Sequence, residues 1–114
     1  KGLVINIGSI AGTDAYVGGS GYNAAKYGLR GMTRALRREE APDIRVCEID
    51  PGRVKTDFSL NRFGGDERRA SAVYEGKLNL SAEDVAEAIR WVASLPAHVN
   101  VDTLNLTPAD QAER

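Results

Sequence analysis

Two short apolar runs rich in β-branched residues, Leu3–Ile7 and Ile44–Asp50, flank a long helical pattern, and that arrangement leaves few folds open. The runs are bounded by Gly2 and Gly8 and by Pro51-Gly52. Neither alternates strictly between apolar and polar, which is how a strand covered on both faces of a parallel sheet reads. Residues 8–21 are glycine-rich and predict a loop. From Tyr22 to about Glu40 the residues Ala25, Leu29, Met32 and Leu36 fall on one helical stripe, and Pro42 follows the helix end. A strand, a crossover helix and a second strand of this kind form a right-handed parallel unit.

The rest of the chain extends the alternation. Residues 51–80 are polar with little period, apart from a possible short helix over about Glu67 to Glu75. Ser81 opens a clear helix as an N-cap, with Asp84 in a capping-box position and Val85, Ala88, Ile89 and Val92 on the buried stripe. Leu95-Pro96 ends it, and the alternation over Val99–Leu106 predicts a third strand. The order β-α-β-α-β assigns the chain to the α/β class with a parallel sheet. Three strands alone would leave the apolar first strand as an exposed edge, so a further strand is expected on its outer side.

Charge and cysteine content narrow the function. Fifteen basic and 16 acidic residues give a net charge of −1 over 114 residues, which disfavours nucleic acid and anionic membrane as partners. No apolar run nears the roughly 18 residues of a membrane span, and the N-terminus lacks a secretory-signal pattern. The single cysteine, Cys47, cannot form an internal disulfide, so a cytoplasmic location is expected. Cys47 reads as a small buried hydrophobe and His98 as a structural or surface residue; no metal site is expected.

The residues able to do chemistry cluster at predicted strand ends. Tyr22 and Lys26 stand four apart, on one helix face. A phenol titrates near 10 and is a poor base at neutral pH; a neighbouring ammonium favours the phenolate, and a shift of about 3 units corresponds to roughly 4 kcal/mol. Ser9 lies at the carboxyl end of the first strand, where open α/β sheets gather reactive groups. The second strand ends at the same edge in Asp50-Pro51-Gly52-Arg53-Val54-Lys55-Thr56. The literal G-x-G-x-x-A match at Gly19–Ala24 is dismissed, because it does not follow a strand directly.

Asn6-Ile7-Gly8-Ser9-Ile10-Ala11-Gly12, Tyr22-Asn23-Ala24-Ala25-Lys26 and Pro51-Gly52-Arg53-Val54-Lys55-Thr56 resemble three successive signatures of the short-chain dehydrogenase/reductase family. Phe58-Ser59, Arg62-Phe63 with Gly65-Asp66, Tyr74-Glu75-Gly76 and Leu95–Asn100 resemble its NADP-dependent 3-hydroxy acid dehydrogenases, which act on serine, allo-threonine and related short acids. The resemblance implies a doubly wound Rossmann-type sheet, of which this chain would be the C-terminal catalytic half. The glycine-rich pyrophosphate turn and the helix it opens are not among these 114 residues.

The resemblance further implies that Tyr22 exchanges a proton with the substrate oxygen and that Lys26 holds the nicotinamide ribose and lowers the Tyr22 pKa. Ser9 would hydrogen-bond the same substrate oxygen. Pro51 and Gly52 would allow close backbone approach to the cofactor, Val54 would meet the carboxamide through its backbone, and Thr56 would bind the carboxamide or pyrophosphate. Residues 57–76 would form the substrate lid. Arg62 or Arg53 would pair with a substrate carboxylate or else remain solvated. NADP is the expected cofactor, with NAD possible, and a homo-tetramer the expected assembly, which fits small residues such as Ala24, Gly28 and Gly31 on the first helix. Two alternatives stand beside this reading: a short-chain dehydrogenase with a different alcohol or ketone substrate, and a truncated, inactive packing module.

Overall fold

In a computed structural model, which describes residues 1–56 and 64–111, the elements follow the expected order. Strand β1 (Gly2–Ile7) leads through a short 3-10 turn (Ile10–Gly12) to helix α1 (Ser20–Glu40) and strand β2 (Ile44–Pro51). Helices α2 (Glu67–Tyr74) and α3 (Ala82–Ser94) and strand β3 (Thr103–Leu106) complete the chain. The sheet is parallel, ordered β1-β2-β3, with Ile5 opposite Cys47 and Ile49 opposite Leu104. Among the described residues β1 pairs only with β2, so the edge anticipated from its apolar sequence is there. No helix among these residues is long and apolar enough to cross a membrane.

Strand β2 is enclosed on both faces, but the two faces differ in kind. Cys47 and Ile49 pack with Val92 of α3, joined by Ile5, Ile89, Val101 and Leu104, in the apolar core. Alternation places Val46, Glu48 and Asp50 on the opposite face, beside α1. Burial raises the Cys47 thiol pKa, as suits a core cysteine. The Asn6 amide donates to the Thr33 hydroxyl at 2.9 Å and Arg30 reaches toward Asp50, so the layer under α1 is largely polar.

The helix ends obey their local chemistry. Asp84 N–H donates to the Ser81 hydroxyl at 3.1 Å while Ser81 N–H donates to the Asp84 carboxylate at 2.8 Å, the reciprocal cap expected for α3. The third strand is shorter than its alternation suggested: it begins at Thr103, not Val99. The Asn100 side chain takes the place of a strand backbone there, accepting from Val46 N–H at 3.0 Å and donating to the Val46 carbonyl at 3.1 Å. With Val46 satisfied by a side chain, backbone pairing with β2 starts only at Asp102, whose carbonyl accepts from Glu48 N–H at 3.0 Å.

Candidate active site

The carboxyl ends of β1 and β2 and the first turns of α1 enclose a cavity of about 670 Å³. Ser9, Tyr22, Lys26, Pro51, Gly52, Val54 and Thr56 all line it, drawn from three separate segments between positions 9 and 56. Arg62 and the signature residues Phe58, Ser59 and Phe63 lie outside the described residues.

Ser9 is nearly buried and caps the 3-10 turn, its hydroxyl accepting from Ala11 N–H at 3.0 Å. That bond uses the oxygen as an acceptor and leaves the hydroxyl hydrogen able to donate. Gly12 brings the turn against α1: a side chain there would stand 3.1 Å from the Lys26 carbonyl oxygen. The Lys26 ammonium donates to the Ile7 carbonyl at 3.3 Å and sits 5.6 Å from the centre of the Tyr22 ring. Lysine, tyrosine and the end of β1 are thereby tied together.

Asn23, adjacent to Tyr22, escaped notice as a functional residue. It is buried and its amide donates to the carbonyls of Ala11 at 3.0 Å and Asp14 at 3.2 Å, while its oxygen accepts from Tyr16 N–H at 3.3 Å. One side chain thus pins the glycine-rich loop to the helix that carries Tyr22. No local signal in the sequence marks it: Asn23 lies across α1 from the Ala25, Leu29, Met32 and Leu36 stripe, and in the structure Ala25 and Met32 of that stripe are exposed while Asn23 and Thr33 are buried.

The turn after β2 is held from behind. Leu80 N–H donates to the Arg53 carbonyl at 3.0 Å and Lys55 N–H to the Leu80 carbonyl at 2.8 Å. In such a parallel bridge the N–H and C=O of the residue between, Val54, face away from the partner. Arg53 corrects an expectation. Its guanidinium donates to the Asn79 side chain at 2.9 Å, the Leu78 carbonyl at 2.5 Å and the Asp110 carboxylate at 2.6 Å. Arg53 lines the cavity, yet its guanidinium is committed to these three partners and is neither free in solvent nor held for a substrate carboxylate. Gln111 adds a further tie, its side-chain oxygen accepting from Arg53 N–H at 2.8 Å. The Leu78 amide and Arg53 hold the Asp110 carboxyl below the usual carboxylate range.

Beneath Ser9 stand two buried carboxyl groups, Glu48 and Asp50, 3% and 1% exposed. Burial, then the neighbouring Glu48 carboxyl, push the Asp50 pKa up to about 7, with Arg30 at 3.9 Å acting in the opposite direction. A carboxyl raised this way binds its proton more tightly folded than unfolded, so stability falls as pH rises from the unfolded value of about 3.9 through the folded one, then levels off. Asp50→Asn cannot ionise. In urea unfolding of the full-length protein at pH 5 and pH 8, the variant should gain stability over wild type as pH rises. A gap that stays constant with pH would contradict this assignment.

The sequence profile of the short chain dehydrogenase family matches residues 1–66, more than half the chain. The chain belongs to that family. An uncharacterized oxidoreductase of Mycobacterium tuberculosis is 49% identical over 112 residues, covering 97% of this chain and 45% of the relative. The NADP-dependent 3-hydroxy acid dehydrogenase YdfG of Escherichia coli K12 is 44% identical over 113 residues, covering 97% of this chain and 46% of the relative. Among solved structures, a closed serine dehydrogenase complexed with NADP+ superposes with a TM-score of 0.94 at 43% identity, again covering 97% of this chain and 46% of that one. The chain spans a little under half the length of these relatives. Its parallel α/β architecture is that of the Rossmann-like sheet of this oxidoreductase family.

Proposed function

We propose that this chain forms the catalytic half of an NADP-dependent oxidoreductase that exchanges a hydride with the C3 hydroxyl or ketone of a short 3-hydroxy acid such as serine or allo-threonine. The observation that carries the reading is the convergence of Ser9, Tyr22 and Lys26 on one cavity with the Pro51–Thr56 turn. The relatives named for NADP and for 3-hydroxy acids or serine support the choice of cofactor and substrate.

The cavity suits the nicotinamide end of such a cofactor: Lys26 offers an ammonium, and Val54 presents backbone N–H and C=O groups turned away from Leu80. Lys26 would hold the ribose hydroxyls, Val54 the carboxamide, and Thr56 the carboxamide or pyrophosphate, with Pro51 and Gly52 allowing close approach. The bound cofactor supplies or accepts the hydride. Tyr22 exchanges the proton of the substrate oxygen through its phenolic oxygen. Ser9 donates a hydrogen bond to that oxygen and stabilises its developing negative charge. Residues 57–76 serve as the substrate lid, and the full-length protein assembles as a homo-oligomer in the cytoplasm.

The test follows 340 nm absorbance of the full-length protein with NADP and, in turn, serine, allo-threonine and 3-hydroxypropionate. Turnover of at least one is expected, with weaker use of NAD. Activity only on acids lacking the 3-hydroxyl, or only on unrelated alcohols, would remove the substrate assignment.

A further inference from the structure

Directly beneath the cavity lies a polar layer that takes no part in the chemistry proposed above. Glu48 and Asp50 are two residues apart on β2 and so project from the same face, toward α1 and the end of β1. Both carboxyl groups converge on Gly8: a side chain at Gly8 would overlap an Asp50 carboxyl oxygen and lie 3.1 Å from a Glu48 oxygen. The Ser9 backbone amide faces the Asp50 carboxyl. Neither Asp50 oxygen, nor one oxygen of Glu48, has a conventional hydrogen-bond partner.

Two buried carboxylates in contact, each short of donors, are costly. The charged groups around them do little to offset that. From α1, Arg30 is 3.9 Å from Asp50 and partly exposed, while Lys26 is engaged with the Ile7 carbonyl and Arg37 with Val46 and Asp102. From β1 comes Asn6, already bonded to Thr33, and just past its end Gly8. On β2 itself Arg45 lies on the opposite face with Cys47 and donates to the Val99 carbonyl at 3.2 Å, while Cys47 and the carboxylate Asp102 supply no positive charge. One proton between the two carboxyls removes the repulsion and supplies the missing donor at once, as in other carboxyl pairs.

We propose that Glu48 and Asp50 share one proton and that this protonated pair is a positioning device for Ser9, fixing the Gly8–Ser9 backbone so that the serine hydroxyl meets the substrate oxygen. Gly8 is part of the same device, because only a residue without a side chain lets the carboxyls approach the strand end. The pair touches neither substrate nor cofactor; it acts through Ser9, and so rests on the assignment of Ser9 made above.

The experiment uses the full-length protein and three variants in turn. Ser9→Ala is expected to lower kcat by about 10²-fold. Asp50→Ala, which removes the carboxyl supporting the strand end, is expected to lower it between about 10- and 100-fold. The double variant should be no slower than Ser9→Ala alone, because the effect of Asp50 passes through Ser9. Asp50→Asn keeps the shape and a neutral amide and should stay within about threefold of wild type, since displacement rather than lost charge is what costs rate. Infrared spectra at neutral pH should show a protonated carboxyl stretch in the wild type that Asp50→Asn removes or shifts; this readout serves even if Asp50→Ala fails to fold. Additive losses in the double variant, or no protonated carboxyl in the wild type, would overturn the inference while leaving Ser9 catalytic. Full activity in Ser9→Ala would instead overturn the reading of the site itself, and the inference with it.

Discussion

Tyr22→Phe is expected to reduce kcat of the full-length protein by about 10³-fold while cofactor binding changes little. Phenylalanine keeps the ring that Lys26 overlies at 5.6 Å and fills the same part of the cavity wall. Only the phenolic oxygen is lost, and with it the group proposed to exchange a proton with the substrate oxygen. Lys26 keeps its bond to the Ile7 carbonyl and Asn23 its hold on the loop, so the rest of the site stays assembled. Steady-state turnover at 340 nm, paired with NADP titration by fluorescence, separates the two effects. Turnover within tenfold of wild type would remove Tyr22 from proton transfer.

Arg53→Met should destabilise the protein by about 1–2 kcal/mol, chiefly because it leaves the part-buried Asn79 side chain and the Leu78 carbonyl without their donor. Methionine preserves most of the side-chain length but none of the donors. The ties lost run to Asn79, Leu78 and Asp110, and with them the strap that holds the segments before α3 and after β3 against the turn that follows β2. Denaturant unfolding measures the stability loss, and a raised KM for NADP is expected alongside it as the turn loosens. A variant of unchanged stability with a raised KM for the acid alone would return Arg53 to the role of substrate ligand.

The two predictions differ in how far the sequence could have supported them. Tyr22 and Lys26 share a helix, and Ser9 follows directly on a strand, so their convergence on one cavity was legible from spacing over a few residues. Arg53 is different. Its partner Asp110 stands 57 residues on, and no local pattern distinguishes an arginine poised for a substrate from one clamped to the chain's own end. Asn100 is a similar case: its residues alternate like a strand, yet its side chain completes β2 at Val46 in place of one. The Glu48 and Asp50 pair lay in plain view as charged residues inside a β-branched run. Their i, i+2 spacing announced a shared face, but not that the face would be closed over by α1.

Read alone, the sequence determined the parallel α/β class, the order of the strands and helices, the cap of α3 and the grouping of Ser9, Tyr22 and Lys26. Each of these follows from periodicity, capping or chain direction, which act over a few residues. Only the tertiary structure decided which charges are spent internally, where the third strand begins, and that two carboxyls meet under the serine. Those outcomes depend on which distant segments pack together, because burial turns an ordinary charge into one that must find a partner or a proton.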